Sequence, residues 1–278
     1  MTEPERRPPN SLSPAMLRTR IIDMAWAGNS VHIGCAFSIV EILCALFGGV
    51  MNLRGGPGDG SRDRLVLSKG HGVMALYAAY VQIGWLPEAH LRSYFADGSM
   101  LHGLAEARIP LLEVSSGTLG HGLPIAVGMA LGFGRSGNPA RVFCIVGDGE
   151  MNEGPMWEGL LFAGHHKLAN LTVVVDANGQ QAMGRTSEVL DLEPLAEKFR
   201  AFGFHALECD GHDPRALDRA LGGPVAGKPR AVIARTIKGR GVSFMEDNNE
   251  WHYRRLTQEL LEQARRELAE VDRARPPV

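Results

Sequence analysis

Two oxygen-bearing side chains each directly follow an apolar run of the sequence. Asp148 lies in Gly147-Asp148-Gly149 after the run 142–146, and Asn178 follows the run 171–176. A carboxylate and an amide carbonyl are hard oxygen ligands of the kind that Mg²⁺ or Ca²⁺ binds. The flanking glycines leave room for a group to approach the backbone. A diphosphate suits that room, because glycine amides and a helix N-terminus bind its oxygens.

The runs around these residues predict the strands that would bring them together. Residues 142–146, 171–176 and 231–236 are rich in β-branched and apolar residues without polar alternation, which is typical of parallel strands buried on both faces. A helix predicted at 156–168 makes the first two runs a βαβ unit. Ligands bind beyond the carboxyl ends of such strands, so Asp148 and Asn178 can meet there despite their separation. A lone Gly-Asp-Gly also occurs in plain turns, whereas the second strand and its Asn make the pattern specific.

The remaining elements predict one α/β domain over residues 14–278, with a mostly parallel central sheet covered by helices on both faces. Residues 1–13 are predicted to be a flexible N-terminal arm. The C-terminal amphipathic helix is expected to pack on its own domain, with packing on a partner as the alternative. The other predicted elements are a helix at 16–28 with Ser13 as its N-cap, a helix at 38–47 capped by Ser38, a strand at 65–67, and helices at 122–133 and 256–271.

Composition and charge exclude several classes of protein. With 45% hydrophobic and 22% charged residues, the chain is not intrinsically disordered. Its 29 Lys and Arg against 31 Asp and Glu give a net charge of -2, which excludes a strongly basic nucleic-acid binder. No apolar run reaches the about 20 residues that span a bilayer, and the polar start has no secretory core. The four cysteines form no Cys-x-x-Cys pair. These features predict a cytoplasmic protein with no nucleic-acid or membrane partner.

The Gly-Asp-Gly…Asn pattern resembles the thiamine diphosphate motif, and the sequence segments around it resemble those of transketolases. Four further words stand in that family's order and carry the resemblance across about residues 14–255: Ser-Val-His-Ile-Gly at 30–34, Asp-Arg-Leu-Val-Leu-Ser-Lys-Gly-His-Gly at 63–72, Ser-Gly-Thr-Leu-Gly-His-Gly at 116–122, and the stretch from Lys238 to Trp251-His252. The resemblance implies the thiamine-diphosphate-binding fold of the transketolase diphosphate domain. It also implies an enzyme that moves a two-carbon ketol unit from a ketose or ketose phosphate donor to an aldose acceptor.

The resemblance also implies roles for single residues. Asp148, Asn178 and the backbone carbonyl of Gln180 would bind Mg²⁺ or Ca²⁺. Glu153 would link two cofactor sites across a dimer interface, with a plain first-turn helix carboxylate as the alternative. His102 is open, since it precedes the glycine of its word instead of following it. The catalytic set is His32, His71, His252, His102 and Glu153, and the cofactor-binding set is Lys69, His71, Gly117, Thr118, Leu119, Gly149, Asn178, Lys238 and His252.

The matching words correspond to the N-terminal third of full-length transketolases. This implies a partner, a C-terminal transketolase subunit with the pyrimidine-binding domain, in an α2β2 heterotetramer whose active sites lie between chains. Two alternatives stay open at this point. The α-subunit of a thiamine-dependent 2-oxoacid decarboxylase or dehydrogenase shares the motif, but the histidine words argue against it. A non-catalytic assembly subunit would not need an intact metal motif. The sequence departs from the family's motifs at the edge of the expected pocket, at Ile33, Cys35 and residues 180–184. These departures leave the identity of the substrate open.

Overall fold

The apolar runs form a five-stranded parallel sheet in the computed structural model, which describes residues 12–223, 225 and 227–273. The strands in chain order are β1 (Arg64–Leu67), β2 (Val142–Gly147), β3 (Leu171–Ala177), β4 (Gln180–Gln181), β5 (Gly184–Arg185), β6 (His205–Asp210) and β7 (Arg230–Arg235). The sheet order is β1-β2-β3-β7-β6, and β4 and β5 form a separate antiparallel hairpin. The predicted parallel sheet is confirmed. The edge strand β6 was not predicted from the sequence, because only one of its residues, Ala206, is buried and the strand has no apolar run.

Helices cover both faces of this sheet, as predicted. In chain order they are α1 (Pro14–Ala27), α2 (Ile33–Phe37), α3 (Val40–Ala45), α4 (Val73–Gln82), α5 (Gly122–Ser136), α6 (Gly154–His165), α7 (Thr186–Val189), α8 (Leu195–Ala201), α9 (Pro214–Leu221) and α10 (Gln258–Arg273). Short turns of other helix types lie at Leu46–Val50, Gly70–Gly72, Glu88–Ser93, Gly149–Asn152 and Asn249–His252.

Alternate residues of each central strand point into two separate cores. In β2, Phe143 and Ile145 join the core formed with α1, α3, α4, α9 and α10, while Cys144 and Val146 join the core formed with α5, α6 and α8. A strand buried on both faces needs apolar residues at every position. That requirement explains why the runs of β2, β3 and β7 are recognisable in the sequence.

The helix predicted at 38–47 is wrong in its bounds and its cap. The chain forms α2, α3 and a π-type turn at Leu46–Val50 instead of one helix. The Ser38 hydroxyl lies 2.7 Å from Asp176 Oδ2, so a tertiary contact takes the side chain that was expected to cap a helix. The prediction for α1 is confirmed, with Met16 N donating to the Ser13 hydroxyl at 3.3 Å.

The stretch Ile33–Val50 is apolar enough in composition to cross a membrane, with a mean hydropathy of 2.1 over 18 residues. In this structure 78% of that stretch is buried inside the protein. Ile39, Ile42 and Leu43 are fully buried in the core beside α1 and α4. Burial in this core therefore explains the apolar character of the segment.

The C-terminal helix packs on its own chain. Leu261, Ala264 and Leu268 of α10 are buried against α1, and Arg265 forms an ion pair with Asp23 of α1 at 2.6 Å. Val271, at the end of the amphipathic helix predicted at 256–271, is exposed. Most of the predicted arm, residues 1–11, lies outside the described residues.

Candidate functional site

A cavity of about 260 Å³ opens at the carboxyl ends of β1, β2, β3 and β7. This is the position at which open parallel sheets bind ligands. Most of the residues singled out in the sequence line it, although their positions span the chain. They are His32, Lys69, His71, Gly117, Leu119, Asp148, Gly149, Asn178, Gln180, Lys238 and His252.

Asp148 stands at the end of β2 and is buried, with 5% of its surface exposed. Its carboxylate accepts hydrogen bonds from Gly149 N at 2.8 Å and from Gly179 N at 2.6 Å. The second bond joins the ends of β2 and β3, which is where the sequence placed both predicted metal ligands. Burial, together with the charge of Asp176, raises the pKa of Asp148 to about 7. A cation beside this carboxylate would offset that cost.

Asn178 and Gln180 supply neutral oxygens next to Asp148. Asn178 Oδ1 accepts from Gln180 N at 3.0 Å. Gln180 donates through Nε2 to Asp247 at 2.6 Å, and its buried Oε1 has no hydrogen-bond partner among the described residues. Over the described ranges, no three His, Cys, Asp or Glu side chains are grouped to hold a metal. One carboxylate with amide and carbonyl oxygens fits a hard cation such as Mg²⁺ or Ca²⁺.

Glycines line the wall next to these oxygens. A Cβ added at Gly149 would lie 2.6 Å from Gln181 Cβ, so no side chain fits there. Gly117 has φ of +120°, a conformation that favours glycine. A wall with little side-chain bulk, next to a carboxylate that can bind a cation and to Lys69 and Lys238, suits a diphosphate group.

Gly149→Ala is expected to weaken the binding of a diphosphate ligand by about 10-fold, since a Cβ at Gly149 would collide with Gln181 of β4 and overpacking of this kind costs about 1–3 kcal/mol. Calorimetric titration measures the affinity. Gly154→Ala is the matched control, because a Cβ at Gly154 meets nothing within 4 Å. Equal affinities for the two variants would contradict the assignment of Gly149 to this wall.

Three histidines from distant parts of the chain surround one side of the cavity. The ring centroids of His32, His71 and His252 lie 5.2 to 5.6 Å apart. His32 has φ of 65°, an uncommon left-handed conformation that clusters at functional sites. His32 N donates to the carbonyl of His252 at 3.2 Å. Tyr253, which is 62% exposed, lies 4.5 Å from the His252 ring and completes the rim.

The electrostatics of the cavity keep these rings neutral. Burial and then the charges of Lys238 and Lys69 lower the pKa of His32 to about 4. Burial and Lys238 lower the pKa of His252 to about 3. Burial lowers the pKa of His71 well below its usual value. Lys238 Nζ lies 3.0 Å from His252 Nδ1 and can only donate, so the proton of the neutral His252 ring is on Nε2. Neutral imidazoles can accept a proton from a bound substrate and return it.

These lowered pKa values predict a pH-dependent stability. An unfolded chain, with histidine pKa near 6.5, binds more protons than the folded chain between that pH and about 4, so the free energy of unfolding falls as the pH drops through this window. In the double variant His32→Asn/His252→Asn, the number of protons taken up on unfolding near pH 5 is expected to fall by about two. Urea unfolding as a function of pH measures it. The control variant changes two exposed histidines outside the cavity, His165 and His166, to Asn. An unchanged slope in the cavity variant would contradict the neutral rings.

A buried ion pair that sequence reasoning missed lies beneath the cavity. Lys69 Nζ donates to Asp176 Oδ2, and both side chains are at most 2% exposed. Asp176 also accepts from the Thr236 hydroxyl and from Asn178 Nδ2, the latter at 3.0 Å. Burial alone would raise the pKa of Asp176, but the charge of Lys69 and the hydrogen bonds from Lys69, Thr236 and Ser38 together outweigh burial and lower it. Asp176 therefore ties β1, β3 and the end of β7 together. In the sequence, the sign of this ion pair was a charged residue, Asp176, at the end of a predicted apolar strand.

Glu150 is a second buried carboxylate without a predicted role. It accepts from the Ser68 hydroxyl at 2.5 Å, from Gly120 N at 3.0 Å and from Gly147 N at 3.2 Å. Burial raises its pKa despite these donors. Its contacts join the loops that follow β1 and β2 to the start of α5. Glu150 therefore holds together the loops that form this part of the cavity wall.

Three predicted residues lie outside the cavity lining. His102 contacts Arg108, with 2.8 Å between Nε2 and the guanidinium, and lies near Glu106. Thr118 is exposed, although its neighbours Gly117 and Leu119 line the cavity. Glu153 is exposed at the start of α6. The roles that the resemblance implies for these three residues stay predictions.

Comparisons with known proteins agree on one family. Residues 11–273 match the family described as transketolase, thiamine diphosphate binding domain. One of the subunits of apulose-4-phosphate transketolase from Actinobacillus succinogenes is 40% identical over 228 residues, which is 80% of this chain and 82% of that protein. A 6-deoxy-6-sulfo-D-fructose transketolase subunit from a Clostridium species is 40% identical over 85% of this chain and 88% of that protein. A transketolase structure from Campylobacter jejuni superposes with a TM-score of 0.85 at 28% identity, covering 92% of this chain but 42% of that one.

Proposed function

The chain belongs to the transketolase family as its thiamine diphosphate binding domain, and we propose that it forms a shared active site with a second subunit. The observation that carries the proposal is the single cavity in which Asp148, Asn178 and the three histidines meet. The relatives are transketolases or their subunits, so the oxoacid enzymes and the non-catalytic assembly subunit have no support beyond the shared motif.

The residues of the cavity divide into a binding half and a proton-transfer half. Asp148 and Asn178, with the Gln180 carbonyl, would hold Mg²⁺, and the metal would hold the diphosphate against Gly149. Lys238, buried and within reach of the same wall, adds a positive charge. Thiamine diphosphate, when bound, supplies the electron sink that ketol transfer requires.

The three histidines are the candidates for moving protons at the hydroxyl and carbonyl oxygens of the sugar. Their rings are neutral at pH 7, because burial and the two lysines disfavour the charged form. A neutral ring can take the proton of a hydroxyl and return it to another oxygen. Tyr253 at the rim shields one side of this group from water.

The missing parts of the site are proposed to come from the partner. Two of the relatives are themselves single subunits of transketolases, which implies a second chain. For this chain we propose the pyrimidine-binding and C-terminal domains of transketolase, in an α2β2 heterotetramer in the cytoplasm. Glu153, which is exposed at the start of α6, is proposed to contact another chain. The donor is proposed to be a ketose with an anionic terminal group and the acceptor an aldose, since the relatives act on a sugar phosphate and a sulfosugar.

The test is ketol transfer by the chain produced together with the product of the neighbouring gene. Thiamine diphosphate and Mg²⁺ are added, and ketose phosphates, sulfosugars and aldoses are screened for two-carbon transfer. Activity only in the mixture of both chains is the expected result. Full activity of this chain alone would refute the shared site. Release of CO₂ from a 2-oxoacid without ketose cleavage would refute ketol transfer.

A further inference from the structure

A buried network of three charged or polar side chains lies behind the cavity and outside its lining. Arg18 of α1 holds Glu41 of α3 with both guanidinium nitrogens, at 2.7 and 2.8 Å. His212, in the turn between β6 and α9, lies 2.9 Å from Glu41 Oε2 through Nδ1. Arg18 and Glu41 are each 4% exposed, and the His212 side chain is 11% exposed. Arg18 Nε has no hydrogen-bond partner among the described residues, whereas both carboxylate oxygens of Glu41 are paired, and these bonds fix the elements that they join.

The proton of His212 can be placed from its neighbours. Ile237 N donates to His212 Nε2 at 2.8 Å, so Nε2 bears a lone pair and the ring proton is on Nδ1, where it is donated to Glu41. Burial alone would raise the pKa of Glu41, but the charge of Arg18 and the bonds from His212 and Arg18 lower it to about 2. Glu41 therefore stays charged and orients the imidazole. The charged groups around the ring are Glu41, Arg18 and Asp210, whose carboxylate accepts from His212 N at 2.8 Å.

His212 accepts a hydrogen bond from the amide of Ile237, which begins the segment 237–252. This segment contributes Lys238 and His252 to the cavity wall. Lys238 follows Ile237 directly, and its Nζ contacts His252 and Asn249. The Lys238 carbonyl accepts from Asp247 N at 3.0 Å, and Asp247 in turn holds Gln180. The backbone position at Ile237 thus controls where Lys238, His252 and Gln180 lie.

Arg18, at the other end of the network, packs against the same segment, residues 237–252. Gly241 has φ of +99°, and a Cβ there would lie 3.2 Å from Arg18 Cδ. The Arg18 side chain therefore packs directly under the turn that follows Lys238. The network contacts residues 237–252 from below at two points four residues apart, with His212 on one and Arg18 on the other.

We propose that His212 is a positioning residue for this enzyme: oriented by Glu41 and Arg18, it fixes the Ile237 amide and thereby holds Lys238 and His252 at the cavity. The consequence for thiamine diphosphate and its metal rests on the function proposed above. The positioning of residues 237–252 by the imidazole of His212 concerns only this chain and does not depend on that function. Partners that orient a binding residue from behind typically change affinity or activity by about 10–100-fold when they are lost.

Two substitutions separate the two bonds of the ring. Glutamine places an oxygen near the position of Nε2 and can still accept from Ile237 N, whereas asparagine places a polar atom near Nδ1 and keeps only the contact with Glu41. Hydrogen–deuterium exchange of residues 237–252 is measured in the full chain. His212→Asn is expected to speed exchange there by about 10-fold or more, and His212→Gln to stay near the wild type. If His212→Asn does not fold, exchange in His212→Gln decides alone: protection as in the wild type supports the proposal, and lost protection overturns it.

Cofactor affinity provides the second readout. With Mg²⁺ and the partner subunit present, His212→Asn is expected to raise the Kd for thiamine diphosphate by about 10–100-fold, and His212→Gln to restore most of it. Asp63→Asn is the control for lost stability, since this buried carboxylate accepts from Arg141 N and Asn52 N at the opposite end of the sheet. Equal effects of Asn and Gln at 212, or exchange unchanged by Asn, would overturn the positioning role. A wild-type complex that binds no thiamine diphosphate would refute the proposed function, while the exchange comparison would still decide this inference.

Discussion

Asp148→Ala is expected to abolish Mg²⁺-dependent binding of thiamine diphosphate to the assembled enzyme, with a loss of affinity of about 100-fold or more. Even residues behind a metal ligand typically contribute about 10–100-fold, and Asp148 is the only carboxylate in the proposed ligand set. The substitution also removes the acceptor for Gly149 N and Gly179 N, which joins the ends of β2 and β3. Calorimetric titration of the complex with thiamine diphosphate, at saturating Mg²⁺, measures the loss.

Asp148→Asn separates the two contributions of this side chain. Its amide oxygen can still accept from one of the two glycine amides, but it brings no negative charge to the cation. We expect an affinity close to that of Asp148→Ala, with a thermal stability close to that of the wild type. Asp63→Asn, buried at the far end of the sheet, should leave the affinity unchanged. Wild-type affinity in Asp148→Asn would show that the site needs no charged ligand at this position.

Lys69→Met is expected to have the largest effect on stability, a loss of about 3–5 kcal/mol in the free energy of unfolding. Asp176 is 0% exposed, and removing its cation leaves a buried charge that keeps hydrogen-bond donors but has no opposite charge, which is the costly way to break such a pair. Urea denaturation of the chain measures the loss. A change below about 1 kcal/mol would mean that water or another cation reaches Asp176.

A double-mutant cycle tests the same pair from the other side. Asp176→Asn in the Lys69→Met background removes the stranded charge and keeps an oxygen that can accept from the Thr236 hydroxyl. The double variant is therefore expected to be more stable than Lys69→Met alone. Val174→Ala in the Lys69→Met background is the control, because Val174 is buried in the same strand without polar contacts. Losses that simply add for Lys69 and Asp176 would contradict a coupled pair.

The sequence was most informative where one physical requirement acts at every position of a segment. Strands β2, β3 and β7 are buried on both faces, so each of their residues carries the signal. Only Ala206 of the edge strand β6 is buried, so the strand carries little of this signal and was missed. In the segment 38–47 the helix α3 begins only at Val40, and Ser38 bonds to Asp176, 138 residues away, instead of capping a helix. A contact at that separation leaves no periodic trace in a single sequence.

The candidate site divides in the same way. Asp148 and Asn178 could be placed together because both follow parallel strands, and the histidines because they lie in recognisable words. Asp176, Glu150 and His212 act through partners on other elements, such as Ser68 for Glu150 and the Ile237 amide for His212. Their residue types are common in loops and strand ends, so only the folded chain distinguishes them. The placement of His102, Thr118 and Glu153 outside the cavity lining depends on the three-dimensional path of their loops.

The pairing of α1 with α10 has a consequence for how the chain folds during synthesis. The two helices lie at opposite ends of the described chain, yet Leu261 and Leu268 of α10 cover the same core as Ile21 of α1. Because α10 follows the other elements of this domain along the chain, it leaves the ribosome after them, and one face of the sheet keeps apolar surface open to solvent until then. Contacts of such long sequence separation form slowly, because a large loop must be closed first. The nascent domain therefore passes through a stage in which this face is open to chaperones and to aggregation.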